Sequence, residues 1–120
     1  KAIADYSQAI RIDPEYATAY NNRGLSYHQL GIYEKEIQDY TEAIRIDPEY
    51  ADAYYNRAFS YADLGQYEKA IKDYSEYIRI DPEYAVAYYN RGVAYEGLRQ
   101  QEKADADAKR ACELDSKYCD

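Results

Sequence analysis

The string Asp-Pro-Glu-Tyr-Ala occurs at Asp13–Ala17, Asp47–Ala51 and Asp81–Ala85, each copy 34 residues after the last (47 − 13 = 34; 81 − 47 = 34). Aligned without gaps, Ala17–Tyr50 and Ala51–Tyr84 are identical at 23 of 34 positions. A unit repeated without drift is the signature of a stacked array, in which one supersecondary unit is copied and each copy packs on the next.

Each unit reads as two helices. Ala19, Tyr20, Tyr27 and Leu30 recur near helical spacing. Gly31 follows, where a helix end favours a residue tolerant of positive φ. A second run carries Tyr33, Ile37, Tyr40, Ala43, Ile44 and Ile46, and it must stop near Asp47 because Pro48 disfavours helical geometry in the residue before it. Asp47 and Pro48 also suit the start of the next helix as N-cap and first-turn residue. The spacing predicts helices over 1–12, 17–30, 33–46, 51–64, 67–80, 85–98 and 101–115, with no alternating strand pattern. Short links make neighbouring helices antiparallel.

Composition narrows the function. Hydrophobic residues make up 47% of the chain, enough for a core. The formal charge of -8 disfavours non-specific binding of nucleic acid or an anionic membrane. No stretch approaches the roughly 20 apolar residues of a membrane span. One histidine, His28, and the absence of a Ser/His/Asp grouping, a phosphate loop or a metal-spaced Cys/His cluster leave catalysis, metal and cofactor binding without candidates. Cys112 and Cys119, seven residues apart, lie too far apart on one helix to pair, and only a fold-back after Asp115 could join them. The expectation is two reduced thiols, and cytoplasmic residence as the default that accompanies them.

Period, helix pairing and residue choice together resemble the tetratricopeptide repeat family over essentially the whole chain. Counting units from Ala17, Ala51 and Ala85, the family's aromatic at the fourth place is Tyr20, Tyr54 and Tyr88. Its small residue at the eighth is Gly24, Ala58 and Gly92, and its aromatic at the eleventh is Tyr27, Tyr61 and Tyr95. The glycine at the fifteenth is Gly31 and Gly65, with Arg99 departing in the last unit. The second-helix aromatics Tyr33/Tyr40 and Tyr67/Tyr74 give way to Gln101/Ala108. The resemblance implies an all-α fold of seven helices: a right-handed α-solenoid of antiparallel helix pairs (a TPR superhelix) with a concave inner wall.

On this frame residues 1–16 are the second half of a truncated repeat, 17–50 and 51–84 are repeats, and 85–120 is a repeat with a polar capping helix and tail. Lys1–Ile12 would then lack a first-helix partner, as in a piece cut from a longer array, leaving Ala2, Ile3, Tyr6 and Ala9 uncovered. Two positions break the pattern. Glu36 stands where the other units have Ala70 and Ala104, and is expected to pack its stem and carry its carboxylate out to solvent or to Arg23. Tyr77 replaces a small residue, Ala43 or Ala111, and would widen the stack locally.

The resemblance implies that the first helix of each unit lines a groove for a protein or peptide. Carried over residue by residue, the first wall includes Asn21, Asn22, Leu25 and His28. The second includes Asp52, Tyr55, Asn56, Phe59 and Asp63, and the third Tyr89, Asn90, Val93 and Glu96. Asn22, Asn56 and Asn90 recur once per unit and offer donor and acceptor to an extended backbone. Tyr55 and Tyr89, with Leu25, Phe59 and Val93, would form an apolar floor. The carboxylate clamp by which many family members hold acidic tails needs lysines and an arginine. The matching places hold Asn21, Leu25, Asn56, Val86 and Asn90, or Asn22, Asp52 and Asn56 in the alternative frame. An acidic tail would meet Asp52, Asp63 and Glu96. The guest is therefore expected to be a neutral or basic extended segment or a partner helix. Arg23, Arg57 and Arg91 are expected to pair with nearby carboxylates. Alternatives are self-association through the N-terminal half-repeat and a regulatory segment of a larger protein.

Overall fold

The structure, a computed structural model, describes residues 1–119. Seven α-helices follow in order among them: α1 (Ala2–Ile12), α2 (Ala17–Gln29), α3 (Tyr33–Ile46), α4 (Ala51–Asp63), α5 (Tyr67–Ile80), α6 (Ala85–Gly97) and α7 (Gln101–Leu114). A 3-10 turn, Ser116–Tyr118, closes the described chain. The first helices of the units are α2, α4 and α6, and the second are α3, α5 and α7, with α1 a second helix alone.

Each first helix ends as its sequence demands. Gly31 and Gly65 have φ of 73° and 76°. Their amides donate to the His28 and Ala62 carbonyls, and the next amides, of Ile32 and Gln66, reach back to Tyr27 and Tyr61. This pair of bonds satisfies carbonyls the helix would otherwise orphan. Arg99 makes the same two-bond arrangement without glycine and is held at φ 61°. The Asp-Pro turn corrects one expectation. Asp13, Asp47 and Asp81 are the C-caps of α1, α3 and α5, whereas Tyr16, Tyr50 and Tyr84 sit at the N-caps that follow. Each aspartate accepts a hydrogen bond from the backbone N–H two residues on, which folds the turn locally instead of capping the helix.

Helices pack in sequence order, each pair against the next. Small residues let them approach: a Cβ at Gly24 would come within 2.6 Å of the Tyr40 ring. The core is alanine and tyrosine, with Ala43, Ala53, Ala58, Ala70, Ala87 and Ala111 fully enclosed. Tyr40 and Tyr74 are sealed as well, so these two hydroxyls do not reach the solvent edge. The hydroxyls of Tyr54 and Tyr88 instead bond the Pro48 and Pro82 carbonyls and tie α4 and α6 to the turns before them. Tyr77 is buried against Tyr55 and Tyr84, with ring centroids 5.6 and 5.4 Å away.

The arginine ladder is regular. Arg23, Arg57 and Arg91 each grip an aspartate of the paired helix (Asp39, Asp73 and Asp107) through two nitrogens at 2.7–2.9 Å. A third nitrogen reaches Ser7, Thr41 or Ser75 on the second helix of the preceding unit. One side chain thus joins three helices in a charge-assisted, two-pronged geometry.

The molecule measures 47 × 25 × 23 Å and its radius of gyration is 15.2 Å. A compact domain of this length would have about 13.6 Å. Among successive units the first helices sit closer to one another than the second helices do. The row therefore bends with α2, α4 and α6 inside.

The tail departs from expectation. Asp115 is extended and its carboxylate accepts from the Lys117 amide, turning the chain back on α7. Cys112 and Cys119 form a disulfide with Cα atoms 4.7 Å apart, so the two thiols are not reduced. The cytoplasmic expectation loses the argument that reduced thiols gave it. No helix among the described residues is long and apolar enough to cross a membrane.

Candidate functional site

The inner wall is the side of the row formed by α2, α4 and α6, which contact one another from unit to unit. Leu25, Phe59 and Val93 stand in register on it, one per unit, with 39%, 43% and 47% of their surface exposed. Asp52, Asp63, Glu96 and Tyr89 are exposed beside them, and Asn22, Asn56 and Asn90 are half-exposed. Tyr89 stacks on Tyr118 of the folded-back tail, centroids 4.9 Å apart.

Two expected groove residues are turned to structural work. Asn21 is buried, with its Oδ1 accepting from Asn56 Nδ2 at 3.1 Å. Tyr55 is half-buried among Tyr74, Tyr77 and Tyr84, and its hydroxyl accepts from Asn90 Nδ2 at 2.9 Å. Burial raises the Tyr55 pKa, and the Asn90 bond opposes that rise. Both bonds run from the sixth place of one unit to the fifth place of the unit before. The asparagine ladder therefore stitches α2 to α4 and α4 to α6. Each amide still has a carbonyl and a second hydrogen uncommitted to the neighbouring helix.

His28, Glu36 and Ser60 form a network that the sequence reading did not foresee. Glu36 is 0% exposed, so its carboxylate neither reaches solvent nor meets Arg23, which is occupied by Asp39. Ser60 Oγ of the next unit donates to Glu36 Oε2 at 2.7 Å, and His28 Nδ1 lies 3.0 Å from Oε1. The Tyr40 hydroxyl also lies against this carboxylate. Burial first, and then the Glu36 charge, push its pKa up. A buried carboxylate with no partner would be costly, and here the donors come from three helices. The His28 ring fills the wall at this junction, 5.9 Å from Phe59 and 6.0 Å from Tyr33.

The next junction differs. The places of His28, Glu36 and Ser60 are taken there by Ala62, Ala70 and Ala94. A pocket of about 210 Å³ opens, lined by Phe59, Ala62, Asp63, Tyr67, Tyr74, Asn90, Val93 and Ala94. Tyr67, Tyr74 and Ala94 were not expected at the site. The signal that could have found them is the coincidence of three alanines replacing three polar residues one unit on.

Repeat, curved row and open inner wall define a helical-repeat protein, and its sequence places it in a family. Residues 1–31, 27–65 and 60–98 match the TPR repeat model, and residues 85–118 match a tetratricopeptide repeat model. The chain belongs to the tetratricopeptide repeat family. No curated protein matches it. Among solved structures it is similar to a crystal structure of MamA, with 31% identity and a TM-score of 0.89 over 96% of this chain and 63% of MamA. It spans less than two thirds of that relative. It is also similar to the second TPR domain of Spaghetti (RPAP3) bound to the HSP90 peptide SRMEEVD, with 32% identity, a TM-score of 0.79, and 82% and 92% of the two chains covered. A third similar structure is the Arabidopsis OM64 TPR domain, at 29% identity and a TM-score of 0.81, covering 86% of this chain and 85% of that one.

Proposed function

We propose that the chain is a protein-interaction scaffold that holds an extended, neutral to basic segment of a partner, or one face of a partner helix, along α2, α4 and α6. The observation that carries this reading is the row of exposed Leu25, Phe59 and Val93 with half-exposed asparagine amides beside it. Apolar side chains in register give a guest places to anchor, and the amides can bond its backbone without reading its sequence. The reading assigns no catalytic step.

One similar structure holds an HSP90 peptide, SRMEEVD, whose end is acidic. The guest proposed here differs in charge. The wall presents Asp52, Asp63 and Glu96, and like charges across an interface are repelled. Photo-crosslinking tests the reading. A benzophenone amino acid placed at Phe59 should give adducts with partner segments, and the same probe at Lys72, exposed on α5, should not. Equal adduct yields at the two positions would remove the groove from the account.

A second reading has its own observation. Tyr6 and Ala9 of α1 are half-buried, whereas their counterparts Tyr40 and Ala43 in α3 are sealed. Self-association over this face would cover them. It predicts a sedimentation coefficient that rises with concentration and stops rising when Tyr6 is replaced by lysine.

A further inference from the structure

We propose that the pocket between the second and third units takes one lysine or arginine side chain of the guest, with Asp63 receiving its positive end. The inference rests on the groove reading above and adds the chemistry of its central contact. The cavity of about 210 Å³ is below the size that encloses a drug-like molecule and suits a single side chain. Its walls are apolar where a side-chain stem would lie, at Phe59, Val93, Ala62 and Ala94, and carry a carboxylate at the rim. Lysine and arginine have this pattern in reverse, an apolar stem and a cationic head. The Phe59 and Tyr67 rings add a π face of the kind that attracts cations.

The placement of Asp63 is the independent argument. It is the last residue of α4, where the helix dipole presents its negative end and a base is favoured. No basic residue stands in the last turn of α4, and Asp63 makes no ion pair among the described residues. An exposed carboxylate in that position works against its own helix. A cation from outside would relieve both the charge and the dipole. At the first junction the corresponding place is filled by His28, held on Glu36, so the pocket at the second junction has no equivalent there.

The test uses a phage-displayed library of random short peptides, selected on the whole chain. Selected peptides should share one fixed lysine or arginine. Their affinity should fall about tenfold for Asp63→Asn, which removes the charge, and for Ala62→Leu, which fills the space. Circular dichroism confirms that both variants keep their helices. If the peptides lose binding with Phe59→Ala but share an aliphatic, aromatic or acidic residue instead, or ignore Asp63→Asn, the pocket assignment is wrong and the groove reading stands. If no selected peptide responds to Phe59→Ala, or none is selected, the groove reading fails and takes the pocket with it.

Discussion

Replacing Ser60 by alanine isolates the most unusual interaction in the molecule. The substitution deletes a 2.7 Å donor to a carboxylate that has no access to water. A hydrogen bond to a buried charge contributes about 1.5–3 kcal/mol. The unfolding entropy of a chain this long makes each kcal/mol worth about 4 °C in Tm, so a loss of about 2 kcal/mol lowers it by about 8 °C. The next junction supplies the control, because it is built natively with Ala70 and Ala94 at these places. In a Glu36→Ala background the carboxylate is gone, and the same Ser60→Ala change should cost under about 0.5 kcal/mol. Urea unfolding of the four proteins in this cycle gives the coupling directly. An equal cost of Ser60→Ala in both backgrounds would show that the bond does not hold the junction, and the account of Glu36 would be wrong.

Other consequences follow from the backbone, the tyrosines and the tail. Arg99→Gly should stabilise the chain by about 1 kcal/mol, because Arg99 occupies the left-handed conformation that glycine adopts at Gly31 and Gly65; thermal melting reads this, and a lower Tm would refute it. Burial raises the pKa of Tyr40, Tyr74 and Tyr77, that of Tyr77 to about 12, against about 10 in an unfolded chain. Stability is therefore intact below pH 10 and falls above it, since the unfolded state releases these protons first. By pH 11 the released protons should together cost the fold on the order of a few kcal/mol, so tyrosinate absorbance of the last groups should appear together with loss of helical dichroism. Reduction of Cys112–Cys119 opens a short local loop, a change of about 2–3 kcal/mol confined to the tail. Trypsin should then cut after Lys117 about fifty-fold faster while the array melts nearly as before.

The helices were legible because their determinants are local. Gly31 and Gly65 mark ends by their own dihedral requirement, and Pro14, Pro48 and Pro82 forbid continuation through the turn. The arginine partners were half legible. Arg23, Arg57 and Arg91 invite ion pairs, but Asp39, Asp73 and Asp107 become identifiable only when the fixed spacing of 16 residues is compared across units. What escaped lies between units. Asn56 meets Asn21 across 35 residues and Ser60 meets Glu36 across 24, and no helix-face pattern encodes such contacts. The disulfide was half legible: a fold-back after Asp115 was the one route to pairing, but helical rise separates Cys112 from Cys119, and nothing in the local sequence favoured that turn strongly enough to overturn the expectation of reduced thiols.

The groove itself is tested most directly by nuclear magnetic resonance of the chain with a selected peptide, following the methyl groups of Leu25 and Val93 and the side-chain amides of Asn22, Asn56 and Asn90. The account predicts that these signals move together in proportion to bound peptide, while outward residues of the second helices, such as Gln38 and Lys72, stay in place. Shifts confined to the second helices or to α1, with the inner wall unmoved, would contradict it.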